Sequence, residues 1–112
     1  MNFGKTILVG RLTRDPEMRY VGKDGDIPVT NFTIAVNEGY GDKETTEFVR
    51  VAAWRKQAET CAEHLVKGQE VLVEGGVPKS SAWINDEGEA RSQVELSAHR
   101  VQFGAKPRNG DK

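Results

Sequence analysis

A chain of 112 residues with 37% hydrophobic and 29% charged side chains has room for one globular domain, not for a catalytic domain beside a regulatory one. Its formal net charge of −1 excludes the strongly basic composition that usually announces a nucleic-acid binder. No apolar run approaches the ~18 residues that cross a bilayer, and the single cysteine, Cys61, excludes a disulfide framework and fits a reducing compartment.

The start, Met1-Asn2-Phe3-Gly4-Lys5, lacks the hydrophobic region of a signal peptide, so a cytoplasmic protein is expected. Ile7-Leu8-Val9 stops at Gly10 and reads as a first strand with a glycine bend. Arg14-Asp15-Pro16-Glu17 is turn chemistry, with Pro16 setting φ and Asp15 able to bond local backbone. Gly22-Lys23-Asp24-Gly25 makes another turn. Phe32, Ile34 and Val36 then alternate with Asn31, Thr33 and Ala35, the period of a half-buried strand. The stretch from Asn37 to Glu44 reads as a loop carrying Tyr40, and a third strand runs from about Glu47 to Arg55.

Ala58, Cys61, Ala62 and Leu65 fall on one helical stripe, with Lys67-Gly68 as the expected stop. Val71 and Val73 mark a fourth strand. Gly76 to Ala90 reads as a long hairpin turning near Asn85-Asp86-Glu87-Gly88. Val94, Leu96 and Ala98 alternate in the last strand. Residues 1–104 thus form one domain, and the polar stretch 105–112 is expected to be a disordered tail. The predicted class is mainly β: five strands with one helix between the third and fourth, the order of an OB-fold barrel.

The third strand is the most informative segment. Side chains alternate across a strand, so Phe48, Arg50, Ala52 and Trp54 share one face and Val49, Val51 and Ala53 the other. Two rings lie about 20 Å apart at ~3.3 Å per residue, with Arg50 between them and Lys56 just beyond. Such a face suits an unpaired polynucleotide, because bases stack on flat side chains and phosphates seek cations. The competing reading turns both rings into the core and uses the valine row for self-association; Arg50 argues against it, since a lone arginine is rarely buried. Tyr40 and Trp83 lie in segments with little packing reason for an aromatic, and Lys79 is near Trp83. Charge is also segregated. Residues 1–23 hold five cations against two anions, and residues 59–74 hold four anions against one cation, so a basic groove is compatible with overall neutrality.

Over residues 2 to 103 the chain resembles the bacterial single-stranded DNA-binding protein family. The likeness is carried by Ile7-Leu8-Val9-Gly10-Arg11-Leu12, Arg14-Asp15-Pro16-Glu17-Met18-Arg19-Tyr20 and Asn31-Phe32-Thr33-Ile34-Ala35-Val36. It continues through Thr46-Glu47-Phe48-Val49-Arg50-Val51, Ala58-Glu59-Thr60-Cys61-Ala62-Glu63 and Val73-Glu74-Gly75. The resemblance implies an OB-fold, assembled as a homotetramer, that wraps single-stranded DNA in replication, repair and recombination at the nucleoid. It implies stacking by Tyr40, Phe48, Trp54 and Trp83, and phosphate contacts by Lys5, Arg19, Arg50 and Lys56. Lys79 joins this set from the residue pattern. The family's basic run before the last aromatic is reduced here to Val77-Pro78-Lys79-Ser80-Ser81-Ala82, with one cation, which implies more salt-sensitive binding or an altered strand path. The acidic, hydrophobic-ended tail tip with which relatives recruit proteins is not expected in this chain.

Catalysis is the first rival reading. Cys61 and His64 are spaced i, i+3, but Cys61 lies in the apolar stripe; His99 faces away from Val94, Leu96 and Ala98. No phosphate-binding glycine motif and no zinc spacing is present, so no enzyme, cofactor, metal or small-molecule substrate is expected. The second rival is an OB-fold adaptor, such as a replication-restart subunit, that binds protein or RNA.

Overall fold

The structure, a computed structural model, describes residues 1–107. Its elements are β1 (Thr6–Leu12), β2 (Glu17–Val21), β3 (Ile27–Glu38), a 3₁₀ turn (Gly41–Lys43), β4 (Thr45–Trp54), α1 (Arg55–His64), β5 (Glu70–Gly75), β6 (Lys79–Ile84) and β7 (Ala90–Phe103). Five strands close a barrel in the order β1-β5-β7-β4-β3, and β3 returns to β1 through Arg11↔Ala35 and Leu12↔Ile34. The β4–β7 pair is parallel, whereas β3–β4 and β5–β7 are antiparallel. With α1 between the third and fourth barrel strands, this is the expected OB-fold. Two strands are additional to the expected five: β2 pairs with β3, and β6 pairs with β7.

The inward residues are those that the alternation selects. Phe32 and Ile34 from β3, Val49, Val51 and Ala53 from β4, Val71 and Val73 from β5, and Leu96 and Ala98 from β7 form one buried cluster with Cys61 and Leu65. Two glycines permit the closure. At Gly10 a Cβ would lie 2.6 Å from the Ala35 carbonyl oxygen, where β1 crosses β3. At Gly75 it would lie 2.5 Å from the Ser97 carbonyl oxygen, beside a register shift between β5 and β7. Real Cβ atoms do not tolerate such approaches, so both sites need the missing side chain.

Helix α1 plugs one end of the barrel, burying Ala58 and Cys61. Thr30 Oγ1 donates to the Ala58 carbonyl at 2.6 Å, and both groups are buried. Gln57 ties the helix to β7: its Nε2 donates to the Ala98 carbonyl at 3.3 Å, and its Oε1 accepts from the Val101 N–H at 3.1 Å. The buried Gln69 side chain donates to the Gly104 carbonyl and accepts from the Val66 N–H.

Three local expectations are corrected. The helix ends at His64, before Lys67-Gly68; Leu65 is already extended, and Gly68 lies in the next turn with its N–H donating to the Leu12 carbonyl at 2.8 Å. Asp15 does not bond its own turn, because its carboxylate accepts from the Lys67 N–H at 2.8 Å, 52 residues away. Arg55 is not the end of the third strand but the first residue of α1, with φ of +58°. Of the expected tail, Ala105 accepts from the Glu70 N–H, and positions 108–112 lie outside the described residues. Among the described residues no helix is long and apolar enough to cross a membrane.

Two predictions follow from packing. Burial pushes the Cys61 thiol up from 9.0 to about 11, so it behaves as a small apolar core residue. Because the folded value is the higher one, the neutral thiol's contribution to stability is complete below pH 9.0 and is lost as pH rises toward 11. A maleimide at neutral pH should label Cys61 only after denaturation; prompt labelling of the native protein would contradict the burial. At Arg55, a non-glycine residue in the left-handed region costs about 1–2 kcal/mol. Arg55→Gly should therefore change stability by less than about 1 kcal/mol, while Arg55→Val should lose about 1–3 kcal/mol in denaturant unfolding. Equal midpoints for the two variants would refute the strain.

Candidate functional site

The candidate site grows from the pleat of β4. Since Val49, Val51 and Ala53 are committed to the core, Phe48, Arg50, Ala52 and Trp54 point out. Phe48 is 60% exposed and Trp54 43%, so neither ring is spent on the barrel interior. Ala52 and Val29 are buried yet lie outside the core cluster. They form the apolar floor of this outer face, with Val29 directly across from Trp54.

Register extends the face over neighbouring strands, because paired residues share a side. Arg19 pairs with Val29, and Val29 with Trp54, so Arg19 and Trp54 stand on one row, two strands apart. The next row runs Glu17, Asn31, Ala52, Ser97. A third runs Thr33, Arg50, Glu95, Lys79. Beyond it, Trp83 on β6 pairs with Arg91 on β7, on the same side as Lys79. The structure therefore brings Arg19, Phe48, Arg50, Trp54, Lys79 and Trp83 onto one continuous surface, although they come from three separate segments. Trp83 is 46% exposed.

Tyr40, 87% exposed, sits in the β3–β4 connection, where its carbonyl accepts from the Lys43 N–H at 3.2 Å. Lys56 is the second residue of α1, exposed, two positions beyond Trp54. Lys5 is not brought into the rows. It precedes β1 and lines a shallow hollow with Phe3, Glu74 and His99.

Several members of the face were not singled out from the sequence. Arg91, Gln93 and Glu95 were invisible because only the β6–β7 and β4–β7 registers place them here. Arg14, Glu17, Asn31, Thr33, Arg50 and Gln93 line a polar hollow of about 190 Å³. The charges are partly neutralised in place. Arg50 Nε lies 3.9 Å from Glu95 Oε2, and Arg91 Nη2 donates to Glu89 Oε1 at 3.2 Å. Among the described residues, no group of three or more His, Cys, Asp or Glu side chains is placed to hold a metal ion. What the arrangement can do is clear: present flat rings over an apolar floor, with cations at intervals, to a flexible polyanion.

Comparison with known proteins identifies a family. A family model described as the single-strand binding protein family matches residues 3–104. A single-stranded DNA-binding protein of Caldanaerobacter subterraneus subsp. tengcongensis is 40% identical over 109 residues, covering 95% of this chain and 70% of that protein. One from Thermotoga maritima is 42% identical over 106 residues, covering 90% and 73% respectively. The crystal structure of the small single-stranded DNA-binding protein from Streptomyces coelicolor superposes with a TM-score of 0.73 at 26% identity, covering 93% of this chain and 96% of that one.

Proposed function

The chain belongs to the single-strand binding protein family, and on that premise we propose that it binds single-stranded DNA without strong sequence preference, by stacking bases on exposed rings and neutralising phosphates with lysine and arginine. One observation carries the reading: the outer face of β4 offers Phe48, Arg50 and Trp54 to solvent while its other face fills the barrel. Stacking is indifferent to base identity because every base has a π-face, so the face reads unpaired character and not sequence. Duplex DNA hides those faces within its own stack. Trp54 and Phe48 provide the central platform, Tyr40 and Trp83 extend it, and Arg19, Arg50, Lys56 and Lys79 meet the backbone. Lys5 serves a strand that wraps beyond this face to the β1 side.

The role proposed is protection of unpaired DNA in replication, repair and recombination, in the cytoplasm at the nucleoid. It is a binding role without catalysis. The one thiol is buried and protonated, His64 lies beside Phe103, and His99 lines the hollow with Lys5.

We further propose a homo-oligomer, a tetramer by analogy with the family. Its support is the β1 side of the barrel. Ile7 and Val9 are half-exposed there, Val9 pairs with Leu72, and residues 6–10 of β1 have β5 on one edge but no partner on the other among the described residues. Such an edge beside an apolar patch invites a second chain. Light scattering should give a multiple of 12.4 kDa; a monomer mass at micromolar concentration would refute assembly.

Poly-dT should quench tryptophan emission, because Trp54 and Trp83 would stack on bases. Trp54→Ala should weaken binding by about 1–3 kcal/mol on every sequence tested. Flat emission at low salt would overturn the DNA-binding reading in favour of a protein or RNA adaptor.

A further inference from the structure

The row Thr33, Arg50, Glu95, Lys79 crosses four strands, and its third member is a carboxylate. Glu95 is the direct cross-strand partner of Arg50 on β4 and of Lys79 on β6. Glu95 therefore stands in the row between the strand that carries Arg50 and the strand that carries Lys79. It leans to Arg50: Oε2 is 3.9 Å from Nε, with the side chains 39% and 45% exposed. At that length the contact is an ion pair and not a hydrogen bond. It is loose, wet and easily exchanged.

A carboxylate offers the guanidinium the same two-oxygen edge that a phosphate does. We propose that Glu95 is a built-in counter-charge that competes with the DNA backbone for the Arg50–Lys79 pair and holds affinity below what the face would otherwise reach. In the free protein Glu95 occupies Arg50. When a phosphate takes Arg50, the released carboxylate has a second cation one strand away in Lys79. Two cations therefore serve one phosphate. The arrangement belongs to this chain's registers, since residues 50, 79 and 95 meet only through the parallel β4–β7 pairing and the β6–β7 hairpin. The inference rests on the proposed DNA binding and adds the residue that tunes it.

The test compares wild type, Glu95→Gln, Glu95→Gln with Lys79→Ala, and Glu95→Gln with both Arg50→Ala and Lys79→Ala. Each is titrated with poly-dT across a salt series, read by tryptophan quenching. Glutamine keeps the shape of Glu95 and removes only its charge. Glu95→Gln should bind about fivefold tighter at low salt, and its plot of log K against log salt should steepen by about 0.7, the increment for one more phosphate contact on a single strand. Adding Lys79→Ala should return the slope to the wild-type value. An unchanged slope and affinity in Glu95→Gln would overturn the proposal, as would a gain that persists when both cations are gone. Wild-type protein that leaves emission flat would instead remove the DNA-binding premise, an outcome distinct from a wild type that binds and a variant that binds no better.

Discussion

The close crossing of β1 over β3 is the constraint on which the molecule depends. There the Ala35 carbonyl oxygen occupies the space a side chain at position 10 would need. Because Gly10 has none, Arg11 and Leu12 can pair with Ala35 and Ile34 and turn an open sheet into a barrel. Closure gives every barrel strand an unambiguous inside. On β4 that commitment sends three small aliphatic side chains inward and leaves Phe48, Arg50 and Trp54 on the outer face. A one-residue slip in register would bury the rings and expose the valines. The candidate site is thus a by-product of how the core is filled, and its rings lie over a floor, Val29 and Ala52, that the barrel itself holds in place.

Much of this was legible from the residues because half-buried strands write their geometry as alternation. β4, β5 and the later part of β7 bury one face and show the period plainly. β2 and β6 do not, for the same physical reason inverted. Only Val21 of β2 is even partly buried, and all six residues of β6 are exposed, so no apolar period could mark them. The helix stripe was legible, whereas its end was not, because Leu65 serves the core from an extended cap and not from a last helical turn. Asp15 reads as a local turn former, yet it reaches the Lys67 amide across the chain. Only tertiary proximity reveals such a bond.

The site shows the same division. Phe48, Arg50 and Trp54 are related by spacing alone, and spacing is what a sequence displays. Their companions Arg19, Lys79 and Trp83 join through pairings between segments far apart in the chain. Charge was the least readable feature. Counting by segment suggested a basic beginning and an acidic middle, whereas the fold sets opposite signs side by side: Arg50 beside Glu95, Arg91 beside Glu89. The overall acidity of the chain therefore coexists with a cation-bearing surface whose strength depends on which carboxylates stand in it.

The β6–β7 hairpin has a mechanical consequence. Its outer part, Ala82 to Ser92, buries almost nothing and, among the described residues, is held only by its own two strands and the turn at Asn85. A lone ribbon of that kind bends and twists at little cost. Phe48 and Trp54 are riveted to the barrel, while Trp83 rides on a compliant arm. The surface accordingly has a stiff centre and a yielding margin, able to follow a guest whose curvature changes along its length without disturbing the barrel beneath.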